Sequence, residues 1–386
     1  MFNLYHKKGA ATTKLQLRLS IIIMEKFNMK TIKITLVLLI LLPCLLISGC
    51  LQQTNDVVET SAETPTVKGT GQETDAEAET RTITDMDGVV WTIPKEVKSV
   101  VANGAGNQIV FMVGGADKLV GTASVVQQNE MFVKIYPRIT EVETIFVTGQ
   151  DVNFEELVKL DPDVIIGNLD DAEEYGLVDL DIRNQSPEDI KKEVLLVGDL
   201  FGEEEYKKAE EFCNYYDGNL NYVTERTKNL TDEEKVKVFV AGADILSTEG
   251  IGSITTSWIE NAGGINVAAE AGVKERGTIS MEDLITQNPD IIVTRDSKTK
   301  EELLTNDQYH DISAVKTGKI YVNPKGVYLW GVRSAETAMQ TLWSAKITHP
   351  ELFEDLDMNA ETRKFYSTFY NYELSEEELD LILNPQ

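Results

Sequence analysis

Apolar residues are laid out along this chain in two ways. Ile34–Ile47 is one nearly unbroken apolar run, interrupted by Thr35, Pro43 and Cys44, and residues 51–80 are mostly Thr, Glu, Gln and Ala with almost no large apolar side chains. From Thr82 onward, short β-branched runs alternate with stretches whose apolar positions recur every three or four residues. That pattern predicts strands alternating with amphipathic helices. Thr82–Pro94 alternates on either side of Asp87-Gly88 and predicts a β-hairpin. Ser99–Ala102 predicts a short buried strand. It leads through Asn103-Gly104-Ala105-Gly106-Asn107 into a helix that reaches Met112 and is closed by Gly114-Gly115, after which Leu119–Thr122 is the next strand.

One pattern occurs twice. Residues 152–167 (VNFEELVKLDPDVIIG) are echoed by residues 279–294 (ISMEDLITQNPDIIVT), 127 positions later. Asn153 or Ser280 can cap a helix whose first turn carries carboxylates, where the helix dipole favours them. Asp161-Pro162 or Asn288-Pro289 stops that helix, because the residue before proline is driven out of the α region. A β-branched run follows and reads as a buried parallel strand. Two copies predict two α/β lobes built alike.

Between them, Glu203–Leu230 contains no proline and one glycine, with Tyr206, Ala209, Phe212, Cys213, Tyr216 and Leu220 at helical spacing. It predicts one long helix, with Cys213 on its buried stripe. Only Gly167–Gly176 separates Ile166 from the apolar Leu177–Ile182, so a helix there has one or two turns at most.

Composition narrows the field. A net charge of −28 argues against a nucleic-acid or anionic-membrane surface, and three histidines among 386 residues exclude a histidine-rich metal site. Cys44 and Cys50 fall in the leader region, leaving Cys213 without a partner in the body. Motifs for catalysis are missing. Ile109 stands where a G-x-G-x-x-G needs its third glycine, and no phosphate-binding loop, nucleophile elbow, H-E-x-x-H or EF-hand is found. No catalytic residue, cofactor or metal ligand is assigned.

Ile47-Ser48-Gly49-Cys50 resembles the lipobox of secreted lipoproteins, where cleavage leaves Cys50 to be lipidated. The body is similar to the substrate-binding proteins of ABC importers for ferric siderophores, haem and cobalamin. The likeness rests on the hairpin ending in Ile93-Pro94, on Gly115–Gly121, on Glu155–Ile166, on Ser257–Ala268 with its Ala-Gly-Gly-x-Asn-Val-Ala, on Gly318–Val322 and on His349–Phe353. It implies an α/β fold of class III, with two Rossmann-like lobes joined by a single long helix and a ligand cleft between them. The expected organisation is a signal peptide over residues 1–49 (with Met29 a candidate start), a lipidated Cys50 and disordered tether to residue 80, lobes at 81–201 and 233–386, and the connecting helix at 202–232.

In open α/β sheets, ligands lie beyond the carboxyl ends of the strands. That rule selects Asn103, Gly104, Asn107, Ser124, Gln150 and Asn168 in the first lobe, and Ser253, Trp258 and Arg295 in the second. Trp258 and Trp330 are candidate aromatic walls. Arg333, after a glycine turn in an acidic protein, is a candidate for holding an anion through paired hydrogen bonds.

The resemblance implies an extracytoplasmic, lipid-anchored monomer that captures an iron chelate such as a ferric siderophore and delivers it to a permease driven by an ATPase. Alternatives are a corrinoid, haem, molybdate or tungstate, or a surface receptor that kept the fold and lost transport. A hydrolase on the same scaffold lacks a nucleophile–base set.

Overall fold

The computed structural model describes residues 79–385, so the leader, Cys50 and nearly all of the tether lie outside the described residues. Among the described residues no helix is long and apolar enough to cross a membrane.

Strands β1 (Thr80–Thr84) and β2 (Val90–Pro94) form the predicted antiparallel hairpin, in register from Thr80 opposite Pro94 to Thr84 opposite Val90. Its turn is organised by Asp85, whose carboxylate accepts from the backbone of Asp87 (3.1 Å) and Val89 (2.9 Å) and from the Trp91 indole (2.8 Å).

The first lobe is a parallel sheet of β3 (Val100–Ala102), β4 (Leu119–Ala123), β5 (Glu143–Phe146) and β6 (Val164–Ile166), in the order β5-β4-β3-β6. The second lobe contains β7 (Val236–Val240), β8 (Ser247–Glu249), β9 (Gly264–Asn266), β10 (Arg276–Thr278), β11 (Ile291–Thr294) and β12 (Ile320–Val322). Its parallel sheet runs β12-β11-β7-β9, and β8 and β10 pair antiparallel beside it. Every residue of β3, β6 and β11 is buried, as expected for parallel strands covered on both faces. The winding direction reverses between β3 and β6 in one sheet and between β7 and β11 in the other. Chains diverge at such a switch point and leave a crevice at the carboxyl ends of the strands.

The repeated sequence occupies equivalent places in the two lobes. Asn153 caps the helix Phe154–Leu160, and Ser280 caps Met281–Gln287. Both helices end on a left-handed residue, Asp161 and Asn288, each at φ 47°. Proline does exclude the right-handed α region there, and Asp and Asn tolerate the left-handed one. The aspartate after each proline then ties down the adjoining first strand. Asp163 accepts from the backbone of Lys98 (2.6 Å) and Ser99 (2.9 Å), and Asp290 from Lys237 (3.0 Å).

The long helix is Glu203–Thr227, three residues shorter than the sequence pattern predicts. Its 25 residues span about 37 Å at 1.5 Å each. It does not stand alone, since a helix over Pro187–Phe201 precedes it, folds back through Gly202 (φ 130°) and packs along it. Cys213 is half-buried against the core, and burial pushes its thiol up to about 11. The segment 167–176 carries one short turn of helix, Ala172–Tyr175, as its length requires.

The chain's end ties the lobes together. Helix Thr337–Thr348 packs on the long helix, and Met358–Tyr370 returns to the first lobe. There Tyr370 accepts from Gln108 Nε2 (2.6 Å) and meets Phe111 at 5.8 Å between ring centroids.

Candidate functional site

The second lobe's switch point opens into a cavity of about 290 Å³. It is lined by Ala241-Gly242 after β7, Thr248 and Glu249 of β8, Thr255 and Trp258 of the helix Ile254–Asn261, Arg276 of β10, Thr294-Arg295 at the end of β11, and Leu329–Val332 less Trp330. The sequence places small and polar residues here because the chain turns sharply. Gly242 donates to Ser247 O (2.7 Å), and a Cβ on Gly242 would stand 2.7 Å from the same oxygen.

The electrostatics centre on Glu249. It is 5% exposed, and its carboxylate accepts from Arg333 Nη1 (2.9 Å) and Nη2 (3.2 Å), Arg276 Nε (3.2 Å) and Thr255 Oγ1 (3.0 Å). Burial pushes this carboxyl up, but the hydrogen bonds and charge of Arg333, with Thr255 and Arg276, outweigh it and hold the group below its ordinary range. Arg276 keeps most of its side chain exposed, and Arg295 is exposed with no ion-pair partner among the described residues.

Tyr328, next to the lining Leu329, approaches the first lobe. A Cβ on Gly104 (φ 45°) would lie 3.3 Å from its hydroxyl. Burial raises this phenol more than the nearby charges of Arg276, Arg333 and Arg295 lower it, so it remains a hydrogen-bond donor. Its backbone N–H donates to Glu336 Oε2 (2.8 Å), while Glu336 Oε1 accepts from Tyr366 Oη (2.7 Å) and Val327 N (3.2 Å). Glu336 is fully buried, and desolvation pushes it up to about 7.

The residues selected from sequence divide into three groups. Trp258 and Arg295 line the cavity, and Trp258 donates to Gly331 O at 3.4 Å. Asn103, Gly104, Gln150 and Asn168 sit on the strand-end loops of the first lobe and Ser124 opens the short helix Ser124–Gln127 directly after β4; Asn168 (φ 54°) is pinned by two 2.9 Å hydrogen bonds to the backbone of Ile182. Asn107, Ser253, Trp330 and Arg333 are turned inward. Asn107 is buried and joins Ala102 O (2.7 Å) to Thr122 Oγ1 (2.7 Å). Ser253 caps its helix and donates to Gly250 O (2.7 Å). Trp330 is fully buried, so it serves the core instead of forming a wall. Arg333 is 9% exposed and committed to Glu249 and to Gln185 Oε1 (3.1 Å). Sequence reasoning missed Glu249, Arg276 and Tyr328. The strand-end rule picked Ser253, Trp258 and Arg295 and passed over Glu249, the last residue of the three-residue β8, and β10, which carries Arg276, is a three-residue ribbon with no hydrophobic signature.

Among the described residues, no cluster of three His, Cys, Asp or Glu side chains is placed to hold a bare metal ion. The arrangement can instead hold an anion, with two exposed guanidiniums over a floor of hydroxyls.

A sequence model of the family described as periplasmic binding protein matches residues 100–326. The chain is 25% identical over 325 residues to the molybdate-binding protein MolA of Haemophilus influenzae, covering 75% of this chain and 91% of that one. It is also 25% identical over 292 residues to the ABC transporter substrate-binding lipoprotein YvrC of Bacillus subtilis, covering 71% and 87%. A periplasmic solute binding protein from Veillonella parvula superposes with a TM-score of 0.68 at 26% identity, over 79% of this chain and 97% of that one.

Proposed function

The chain belongs to the periplasmic binding protein family, and on that premise we propose that it is the extracytoplasmic solute-binding component of an ABC importer, carrying a small anionic, metal-containing solute to its permease. The observation that carries the ligand class is the pair Arg276 and Arg295 on the rim of a cavity in a protein whose net charge is −28. Two guanidiniums gathered at one crevice of so acidic a body favour an anion there. A volume of about 290 Å³ is at the lower limit for enclosing drug-sized ligands and favours a tetrahedral oxyanion or a compact chelate over a bulky one. The relative named for molybdate binding supports the same class.

Lipidation at Cys50 would hold the body at the outer face of the membrane, with residues 51–80 as tether.

Trp258 on the cavity wall supplies the readout. The purified protein, titrated with molybdate, tungstate, a ferric hydroxamate, cobinamide and haemin, should show saturable quenching by an oxyanion at micromolar concentration. Saturation by cobinamide or haemin alone, with none by the oxyanions, would refute the anion reading and leave the transport role standing.

A further inference from the structure

We propose that Glu249 is a specificity-determining residue: it offsets one guanidinium of the cavity, so that the site discriminates less in favour of a doubly charged anion over a singly charged one than its guanidiniums alone would. The inference rests on the anion reading above and sharpens its substrate class. The lining carries Arg276, Arg295, Asp244 and Glu249, and Arg333 lies directly behind Glu249. Three guanidiniums thus face two carboxylates, leaving one net positive charge for the occupant.

Glu249 is not an incidental neighbour. It is buried, it receives both Nη groups of Arg333, and Arg333 Nη2 also donates to Gln185 Oε1. This pair is therefore permanent, and Arg333 makes no hydrogen bond to the occupant itself. Arg276 is held differently. One Nε hydrogen bond of 3.2 Å fastens it to Glu249, while 69% of its side chain remains exposed, so its two Nη groups are left for the ligand. Glu249 thus sets the direction of the ligand-binding fork and also limits how much negative charge the site tolerates. A charge change near the ligand acts in proportion to the ligand's own charge, so a dianion feels it twice as strongly as a monoanion.

The test compares molybdate with perrhenate, tetrahedral oxyanions of similar size with two negative charges and one. Dissociation constants are measured by Trp fluorescence for the wild type, Glu249→Gln and Arg276→Gln. In Glu249→Gln, affinity for molybdate should rise about tenfold and for perrhenate about threefold, moving the ratio toward the dianion. In Arg276→Gln, which alters an exposed side chain and should fold, the ratio should move about as far the other way. An unmoved ratio in a folded Glu249→Gln protein would overturn the proposal. If that variant fails to fold because Arg333 has lost its carboxylate, an unmoved ratio in Arg276→Gln would overturn it equally. Wild-type protein that binds neither probe would instead sink the anion reading, and this proposal with it.

Discussion

Arg333 grips both carboxylate oxygens of Glu249 from 84 residues away in sequence, with Nη1–Oε1 at 2.9 Å and Nη2–Oε2 at 3.2 Å. The pair pins the last cleft loop to β8, and through Gln185 it also reaches the entrance of the helical hairpin. Arg333 stands at φ 43°, where a non-glycine residue is disfavoured, and the surrounding hydrogen bonds hold it there.

Replacing Arg333 with Met should therefore act on stability before it acts on binding. A buried carboxylate left wholly uncompensated costs about 3–5 kcal/mol, and Glu249, which keeps Arg276 and Thr255, should lose somewhat less. Glu249 is held below its ordinary range in the native protein, so its contribution is present above the unfolded-state value and is lost as pH falls through the folded one. Urea unfolding at pH 7 should show a large loss in Arg333→Met. The deficit should narrow in acid, where Glu249 takes up a proton. A variant as stable as wild type at pH 7 would show the pair to be dispensable.

Arg295→Ala should do the reverse. This side chain is exposed and has no ion-pair partner among the described residues, so stability should change by no more than about 0.5 kcal/mol. Affinity for an oxyanion should fall about tenfold, the loss expected when one charge-assisted hydrogen bond is removed. Calorimetric titration of the two proteins side by side would check both halves.

Glu193 offers a prediction with the opposite pH sign. It is fully buried in the helix Pro187–Phe201, Oε1 has no partner, and Oε2 meets only Asn184 Nδ2 at 3.5 Å. Desolvation pushes it up to about 8. The folded state then binds a proton that the unfolded state releases from about pH 4.5, so native stability declines between those values. Glu193→Gln removes the titration while keeping the shape. It should be near neutral at pH 5 and stabilising by about 1–3 kcal/mol at pH 8. Melting temperatures across that range that ran parallel for the two proteins would contradict this.

How far the sequence disclosed this molecule depends on the range over which each signal acts. The capped helix, the left-handed stop and the buried strand are decided within a few residues, so both copies of the repeat and the hairpin are legible as text. Trp258 and Arg295 are reached by the same local rule, Arg295 as the residue directly after β11 and Trp258 in the helix that follows β8. Arg333 and Glu249 show the limit. Two residues 84 positions apart become a buried pair only once β8 and the cleft loop are folded together, and neither carries a local mark of burial. Trp330 fails for the same reason. A tryptophan beside a glycine turn reads alike whether its ring faces the cleft or the core, and tertiary packing chose the core.

The repeat itself can be tested at Asp163 and Asp290, which do one job in two lobes with different numbers of bonds. Asp163 accepts two backbone N–H groups at the start of the first lobe's opening strand, from Lys98 and Ser99. Asp290 accepts one, from Lys237, at the start of the second lobe's. Hydrogen bonds of a charged acceptor to the backbone each contribute about 1–2 kcal/mol when partly shielded, and less when water can replace the acceptor. Asp163 is half-buried and Asp290 exposed, so both exposure and bond count point the same way. Asp163→Ala should cost about 2 kcal/mol and Asp290→Ala under about 1 kcal/mol in denaturant unfolding. The double variant should equal their sum, since the sites lie in separate sheets and share no partner. Equal losses would mean that the local propensity of the Pro-Asp corner, and not its bond to the neighbouring strand, sets its worth.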